Sequence, residues 1–482
     1  MKRLPLWLPL LAALAGGARA DPTAECRVDG LRQAVRCGVL SRPLDPQRPD
    51  GTRIELHYLV VPATAQHKRP DPLFFFAGGP GQSAIALAGQ VAPLLGRLGQ
   101  RRDLVFIDQR GTGRSAPLDC GEEDEAALPL PERLDAEAQI ARVAACRERL
   151  QALPHGDLRQ YATPTAMADA DAVRAALGAE RVNLVGVSYG TRAALEYLRQ
   201  FPQRVRRVVL DGVAPADMVL PASLARDTPA VLDALLAACA AEPACARRHP
   251  RLAARWRDWL ATLPREVRVA DPASGRDVAL KLDRAAVAQL LRAPLYAPAI
   301  AAALPYALEE AMAGRLAALV GLPGALGSGG RRGAIATGQH FSVVCAEDFP
   351  GLGAAALPGD FGESAALPYR RLCPDWPRAA LPTGYGRLVP SPAPVLALSG
   401  ALDPVAPPRH GERVVAALGP QARHVVVPHA GHGVLGLGCA RELLHRFIDA
   451  EREADALALD TACLTRIPRP LAFEPPRPGG AP

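Results

Sequence analysis

The sequence predicts an α/β fold: a doubly wound, mostly parallel sheet that carries an inserted helical cap domain. Three observations lead there. Short apolar runs ending in glycine alternate with segments of helical period over residues 53–212. After Asp211 that rhythm gives way to a long alanine- and leucine-rich stretch, and strand-like runs return only at 394–400 and 424–433. Short apolar strands separated by helices are the pattern of a parallel sheet covered on both faces.

Residues 1–20, MKRLPLWLPLLAALAGGARA, combine a basic start, an apolar core from Leu4 to Leu14 and small residues at Ala18 and Ala20, the pattern of a cleaved secretory signal. The apolar core is shorter than the roughly 20 residues that a membrane span needs, and no later segment reads as one. RIELHYLVV (53–61), DPLFFFAGG (71–79) and RDLVFIDQRGTG (102–113) then predict strands. Helical patterning follows at about 132–152 and 165–178. The strand VNLVGV (182–187), a helix at about 190–201 and the strand VRRVVLDG (205–212) complete a first core part over residues 21–212, with an N-terminal extension. Residues 213–389 form the cap, with helices expected near 226–240, 250–262, 284–293 and 299–320 and a glycine-rich segment at 324–333. Residues 390–482 close the core with two strands, a helix at 439–450 and a proline-rich tail.

Composition narrows the function classes. Loss of the leader removes Lys2, Arg3 and Arg19 and no acid, leaving 53 basic against 49 acidic residues, a formal charge of +4. The short arginine pairs lack interleaved aromatics, so no nucleic-acid partner is expected. Ten cysteines, Cys26, Cys37, Cys120, Cys146, Cys239, Cys245, Cys345, Cys373, Cys439 and Cys463, fall into five sequentially local pairs. In an exported chain, periplasmic or secreted, they predict structural disulfides, whose connectivity the spacing leaves open. With no CxxC and no histidines at ligand spacing, neither metal nor other cofactor is expected.

The chemistry centres on GVSYGT (186–191). A strand that ends in Gly-x-Ser-x-Gly and turns directly into a helix holds its serine, Ser188, in a tight bend with the hydroxyl at the carboxyl edge of the sheet. Such a hydroxyl needs a base, and the base needs a carboxylate to fix its tautomer. Asp403 in SGALDPVAPP and His432 in HAGHGV each lie just past a downstream strand, in the chain order serine, acid, histidine. Their local competitors are Asp211 and His429; Asp211 is the better candidate for satisfying loop N–H groups. The tetrahedral oxyanion would be met by the N–H groups of Tyr189, after the nucleophile, and of Gly79 in AGGPGQS (77–83).

Taken together, GGPGQS (78–83), DQRGTGRS (108–115), GVSYGT, LDPVAPP (402–408) and GHG (431–433) resemble the α/β-hydrolase serine peptidases of the proline iminopeptidase and tripeptidyl aminopeptidase family, the secreted tripeptidyl branch in particular. The resemblance implies an α/β-hydrolase core with its cap inserted after the sixth strand, and it places Ser188, Asp403 and His432 as triad and Gly79 and Tyr189 at the oxyanion. It also implies short peptides with a free amino terminus as substrates. Ala77 departs from the histidine usual in cytoplasmic proline iminopeptidases, which weakens proline selectivity. A free ammonium calls for carboxylates, and CAED (345–348) offers Glu347 first and Asp348 second; a Cys345–Cys373 bond would tether them. An esterase or lipase-like hydrolase with the same triad is the alternative, and a non-catalytic scaffold is disfavoured by the intact triad.

Overall fold

The computed structural model describes residues 23–121, 128–326, 334–473 and 475. The expected leader and most of the glycine-rich segment at 324–333 lie outside the described residues.

Nine strands form one sheet in the order β1-β2-β3-β5-β4-β6-β7-β10-β11. These are β1 (Thr23–Cys26), β2 (Val35–Pro43), β3 (Arg53–Val61), β4 (Leu73–Phe76), β5 (Leu104–Ile107), β6 (Val182–Val187), β7 (Val205–Asp211), β10 (Val395–Gly400) and β11 (Ala422–Val427). From β5 to β11 every neighbouring pair is parallel, whereas β1, β2 and β3 join antiparallel at one edge. Alternate residues of each central strand serve opposite cores, because side chains on a strand alternate in direction. Phe75, Phe106, Val185 and Leu398 pack on one face with the helices Ala84–Leu94 and Ala440–Asp449. Phe74, Phe76, Leu184 and Leu210 pack on the other with Thr163–Ala176 and Tyr189–Gln200.

Parallel strands place their carboxyl ends on one edge. The loops after β4, β6, β7, β10 and β11 therefore converge, and they carry Gly79, Ser188, Asp211, Asp403 and His432.

The chain between β7 and β10 leaves the sheet and forms a separate apolar cluster around Trp256, Trp259, Leu290 and Leu308. It departs after the seventh strand in chain order, one later than expected, because Thr23–Cys26 adds an edge strand. Two expectations for this region need correction. It is not wholly helical: β8 (Arg265–Ala270) and β9 (Asp277–Leu282) pair as an antiparallel hairpin. The single helix expected over 299–320 is broken into Pro298–Ala301, Leu304–Met312 and Ala317–Gly321. Pro305 has no N–H to continue a helix from the preceding turn, and Gly314 takes a φ of +84° that ends the next.

The ten cysteines pair locally as Cys26–Cys37, Cys120–Cys146, Cys239–Cys245, Cys345–Cys373 and Cys439–Cys463. No helix among the described residues is long and apolar enough to cross a membrane.

Candidate active site

Ser188 sits between β6 and the helix Tyr189–Gln200 with φ +58° and ψ −127°, a conformation a non-glycine residue adopts only under constraint. The constraint is visible. The Ser188 N–H donates to the Asp211 carbonyl at 2.8 Å, and its own carbonyl accepts from the Thr191 N–H (2.8 Å) and hydroxyl (2.6 Å). The flanking glycines are required by contact rather than by φ. A Cβ at Gly186 would overlap the Gly190 carbonyl oxygen, and one at Gly190 would overlap the Phe76 carbonyl oxygen of β4. Close approach of strand, helix and neighbouring strand thus excludes any side chain at either position.

Past β11, His432 Nδ1 lies 2.7 Å from Asp403 Oδ2. Asp403 is fully buried, and its other oxygen accepts from the Val405 and Ala406 N–H groups at 2.9 Å each. Burial works against its charge, yet His432 and these donors hold the carboxyl below its ordinary value. Burial likewise works against a charged imidazole, but the carboxylates of Asp403 and Asp211 hold the His432 pKa above its usual value. Asp211 does not touch the imidazole as Asp403 does. Its oxygens accept from Val434 N–H (2.8 and 2.9 Å) and Leu435 N–H (2.9 Å), and burial pushes its carboxyl up to about 6. It therefore fixes the loop that carries His432.

Tyr189 opens the helix Tyr189–Gln200 directly after Ser188, so its N–H has no acceptor within the helix. Gly79 has φ +109°, and a Cβ at the adjacent Gly78 would lie 3.1 Å from the Ser188 Cβ. The turn that holds Gly79 thus rests directly against the serine. Asp108 braces this turn from behind, accepting from the Ser83 hydroxyl at 2.6 Å and the Ile85 N–H at 3.0 Å; burial raises its carboxyl to about 6. Arg110 is buried, and binds Asp169 at 2.7 Å and the Leu44 carbonyl at 2.7 Å.

Glu347 and Asp348 end the helix Thr337–Glu347, and the structure turns both inward. Arg192, on the nucleophile helix, donates to Asp348 Oδ2 at 2.8 Å, Asp348 Oδ1 at 3.0 Å and Glu347 Oε2 at 3.2 Å. The Leu220 N–H adds 2.8 Å to Asp348, and Glu347 also accepts from Thr163 N–H (2.7 Å), the Thr163 hydroxyl (3.0 Å) and the Tyr385 hydroxyl. Both acids expected to meet a substrate ammonium are thus already hydrogen-bonded within the protein. Their one cationic partner among the described residues, the buried Arg192 guanidinium, balances a single carboxylate charge and stands 155 or more positions away in sequence.

A family model for the alpha/beta hydrolase fold matches residues 71–438, most of the chain. The chain belongs to the α/β hydrolase fold family. Within it, the sequence is 35% identical over 218 residues to a tripeptidyl aminopeptidase of Streptomyces lividans, a match covering 42% of this chain and 40% of that protein. It is 35% identical over 193 residues to the serine protease Hip1 of Mycobacterium bovis, covering 36% and 35%. It is 29% identical over 227 residues to a carboxylesterase B of Mycobacterium tuberculosis, covering 44% and 43%. The chain thus spans about two fifths of the length of the curated relatives it matches.

Sequence reasoning missed the residues by which the inserted region grips this edge of the sheet. The Tyr296 carbonyl accepts the His432 N–H at 2.9 Å, and its ring meets the imidazole edge-on with centroids 5.1 Å apart. His340 lies 3.2 Å from the Pro80 carbonyl by Nδ1 and 3.0 Å from the Tyr369 hydroxyl by Nε2; burial drops its pKa to about 4, so it is neutral. The Ala336 N–H donates to the Gly81 carbonyl at 2.9 Å. Only a lone histidine and tyrosine in helical stretches marked these positions, and such residues are ordinary in packed caps.

Proposed function

We propose that the protein is an exported serine peptidase that removes residues from the free amino end of short peptides. Ser188 is the nucleophile, His432 the general base, and Asp403 the carboxylate that orients it. The observation that carries this reading is the 2.7 Å contact between His432 Nδ1 and Asp403, formed on the sheet edge where the strained Ser188 elbow is held. Fixing a proton on Nδ1 leaves Nε2 free to take the serine proton. Attack on the scissile carbonyl makes a tetrahedral oxyanion, received by the N–H groups of Tyr189 and Gly79. His432 then gives its proton to the leaving amine, and water, activated by the same base, releases the acyl product.

The peptide class is supported by the motifs quoted above and by the likeness to the Streptomyces aminopeptidase and to Hip1. Export, to the periplasm or beyond, is supported by the leader-like residues 1–20 and by the five cysteine pairs, which suit an oxidising compartment. Asp348 is assigned to Arg192, which leaves the charge of Glu347 for the substrate amine. The second reading, an esterase, is favoured by the likeness to carboxylesterase B.

Fluorogenic Pro-, Ala- and Ala-Ala-Pro-linked substrates, each with its amine free or acetylated, separate the two when products are read by mass spectrometry. Release of an intact tripeptide from the free-amine form alone establishes tripeptidyl release, and release of single proline an iminopeptidase. Equal turnover of acetylated substrates overturns the aminopeptidase reading, and faster turnover of the matching esters would then favour the esterase.

A further inference from the structure

The cap holds a partly open cavity of about 120 Å³ between the helices Leu220–Ala241, Arg284–Leu295 and Gly362–Leu372. Its walls are mostly apolar, with Leu224, Leu232, Leu291 and Leu295 among them, and among the described residues its single charged lining residue is Arg292, with no acid beside it. Arg292 is exposed, and it forms no ion pair or hydrogen bond among the described residues. Its neighbour in the helix, Arg284, is by contrast paired with Asp360 at 2.9 Å. An apolar chamber with one uncompensated cation is complementary to an apolar group that carries a negative charge, and it offers an ammonium nothing.

Three chains of contacts link the walls of the chamber to the catalytic edge. Leu295 precedes Tyr296, which holds the His432 backbone and ring. Tyr369, another lining residue, connects through His340 to the Pro80 carbonyl of the oxyanion turn. Leu224 and Ala365 pack in one cluster with Val405, two positions beyond Asp403. The Arg292 charge acts on Tyr296, Tyr369 and His340, the residues that join chamber and centre.

We infer that this chamber is a substrate subsite for an apolar group bearing a carboxylate, with the Arg292 guanidinium as its anion-binding element. A guanidinium presents parallel N–H donors that match a carboxylate. On the peptidase reading, on which only the choice of source rests, that carboxylate is either the C-terminus of a short peptide or an acidic side chain. A peptide C-terminus recognised there would restrict the enzyme to short chains by length.

The binding test does not require turnover. The Ser188→Ala protein is titrated by calorimetry with 4-phenylbutyrate and with 4-phenylbutanamide, which match in size and differ in the charge and in one acceptor oxygen replaced by NH₂. The acid is expected to bind about tenfold tighter than the amide, as a charge-assisted pair implies, and Arg292→Gln in the same background should erase the difference. Equal affinities, no binding of the acid at millimolar concentration, or an acid preference that survives Arg292→Gln would each overturn the subsite. Turnover then identifies the source. Peptides with a C-terminal acid or amide, and with Glu or Gln inside, are compared by KM in wild type and Arg292→Gln. A preference for the terminal acid assigns the C-terminus, and a preference for Glu assigns the side chain; absence of both overturns the subsite as a substrate site. If no peptide is cleaved while a fluorophosphonate still labels Ser188, the peptidase reading fails and the calorimetric result alone decides the chamber.

Discussion

Replacing Asp348 by Asn separates a structural role for the cap acids from a role in substrate binding. The Asp348 carboxylate takes three hydrogen bonds, two from Arg192 at 2.8 and 3.0 Å and one from the Leu220 N–H at 2.8 Å. Both partners are withdrawn from water, with side-chain exposures of 1% for Asp348 and 4% for Arg192. Asn keeps the volume and one acceptor but removes the charge, and it brings an NH₂ group against a guanidinium. Breaking a buried pair by removing one partner costs about 3–5 kcal/mol. Arg192 retains Glu347 at 3.2 Å, which places the expected loss near the lower end, about 3 kcal/mol. Urea unfolding followed by tryptophan fluorescence is suited to the question, because three of the four tryptophans, Trp256, Trp259 and Trp376, lie between β7 and β10. In an Arg192→Met background the same substitution should cost much less, since the charge it removes has lost its partner. Turnover of free-amine substrates should keep its KM. A loss below about 1 kcal/mol, together with a KM that rises for free-amine but not for acetylated peptides, would refute the inward role and restore Asp348 to the substrate.

Three further outcomes are expected. The acid limb of kcat/KM should have its midpoint above 6.5, because the base must be neutral and the carboxylates beside it outweigh burial; Asp403→Asn should move that midpoint down while cutting kcat by about 10⁴-fold, and a wild-type midpoint below 6.5 would contradict the contact with Asp403. Gly190→Ala should destabilise the core by about 1–3 kcal/mol or more and abolish fluorophosphonate labelling of Ser188, since its Cβ overlaps the Phe76 carbonyl; normal labelling would mean that the elbow yields. Replacing Cys345 and Cys373 together by Ser opens a loop of 28 residues and should lower cap stability by about 3.5 kcal/mol in the same fluorescence assay, and an unchanged urea midpoint would show that the loop is held without the bond.

The elbow was legible because its signal is local: two glycines, a serine, an apolar run before and a helical period after. The same holds for Asp403 and His432, each a short step beyond a strand. What the sequence concealed depends on partners distant in the chain or on weak patterns. REVRVA and DVALKL do alternate, but half of each strand faces solvent, and the hairpin sits inside an alanine-rich run that reads as helix. VRCGVLSRP mixes glycine, arginine and proline, so β2 is defined by its register against β3 rather than by its own residues. CAED announces two acids near a disulfide; nothing in those four letters shows that Arg192 supplies their counter-charge.

The contacts of Tyr296, His340 and Arg192 bear on how selectivity and chemistry would be divided under the proposed function. Each joins the inserted region to a different working part: Tyr296 to the loop of the base, His340 to the oxyanion turn, and Arg192 in the nucleophile helix to Glu347 and Asp348. A cap that merely covered the pocket would touch its rim. This one supplies hydrogen bonds to the backbone that positions His432 and to the turn beside Gly79, so displacing it by even an ångström would disturb base and oxyanion donors together. The helices that line the Arg292 chamber include the one that ends at Leu295, directly before Tyr296. Occupation of that chamber is therefore mechanically continuous with the placement of the base, which gives a bound carboxylate a route to affect kcat as well as KM.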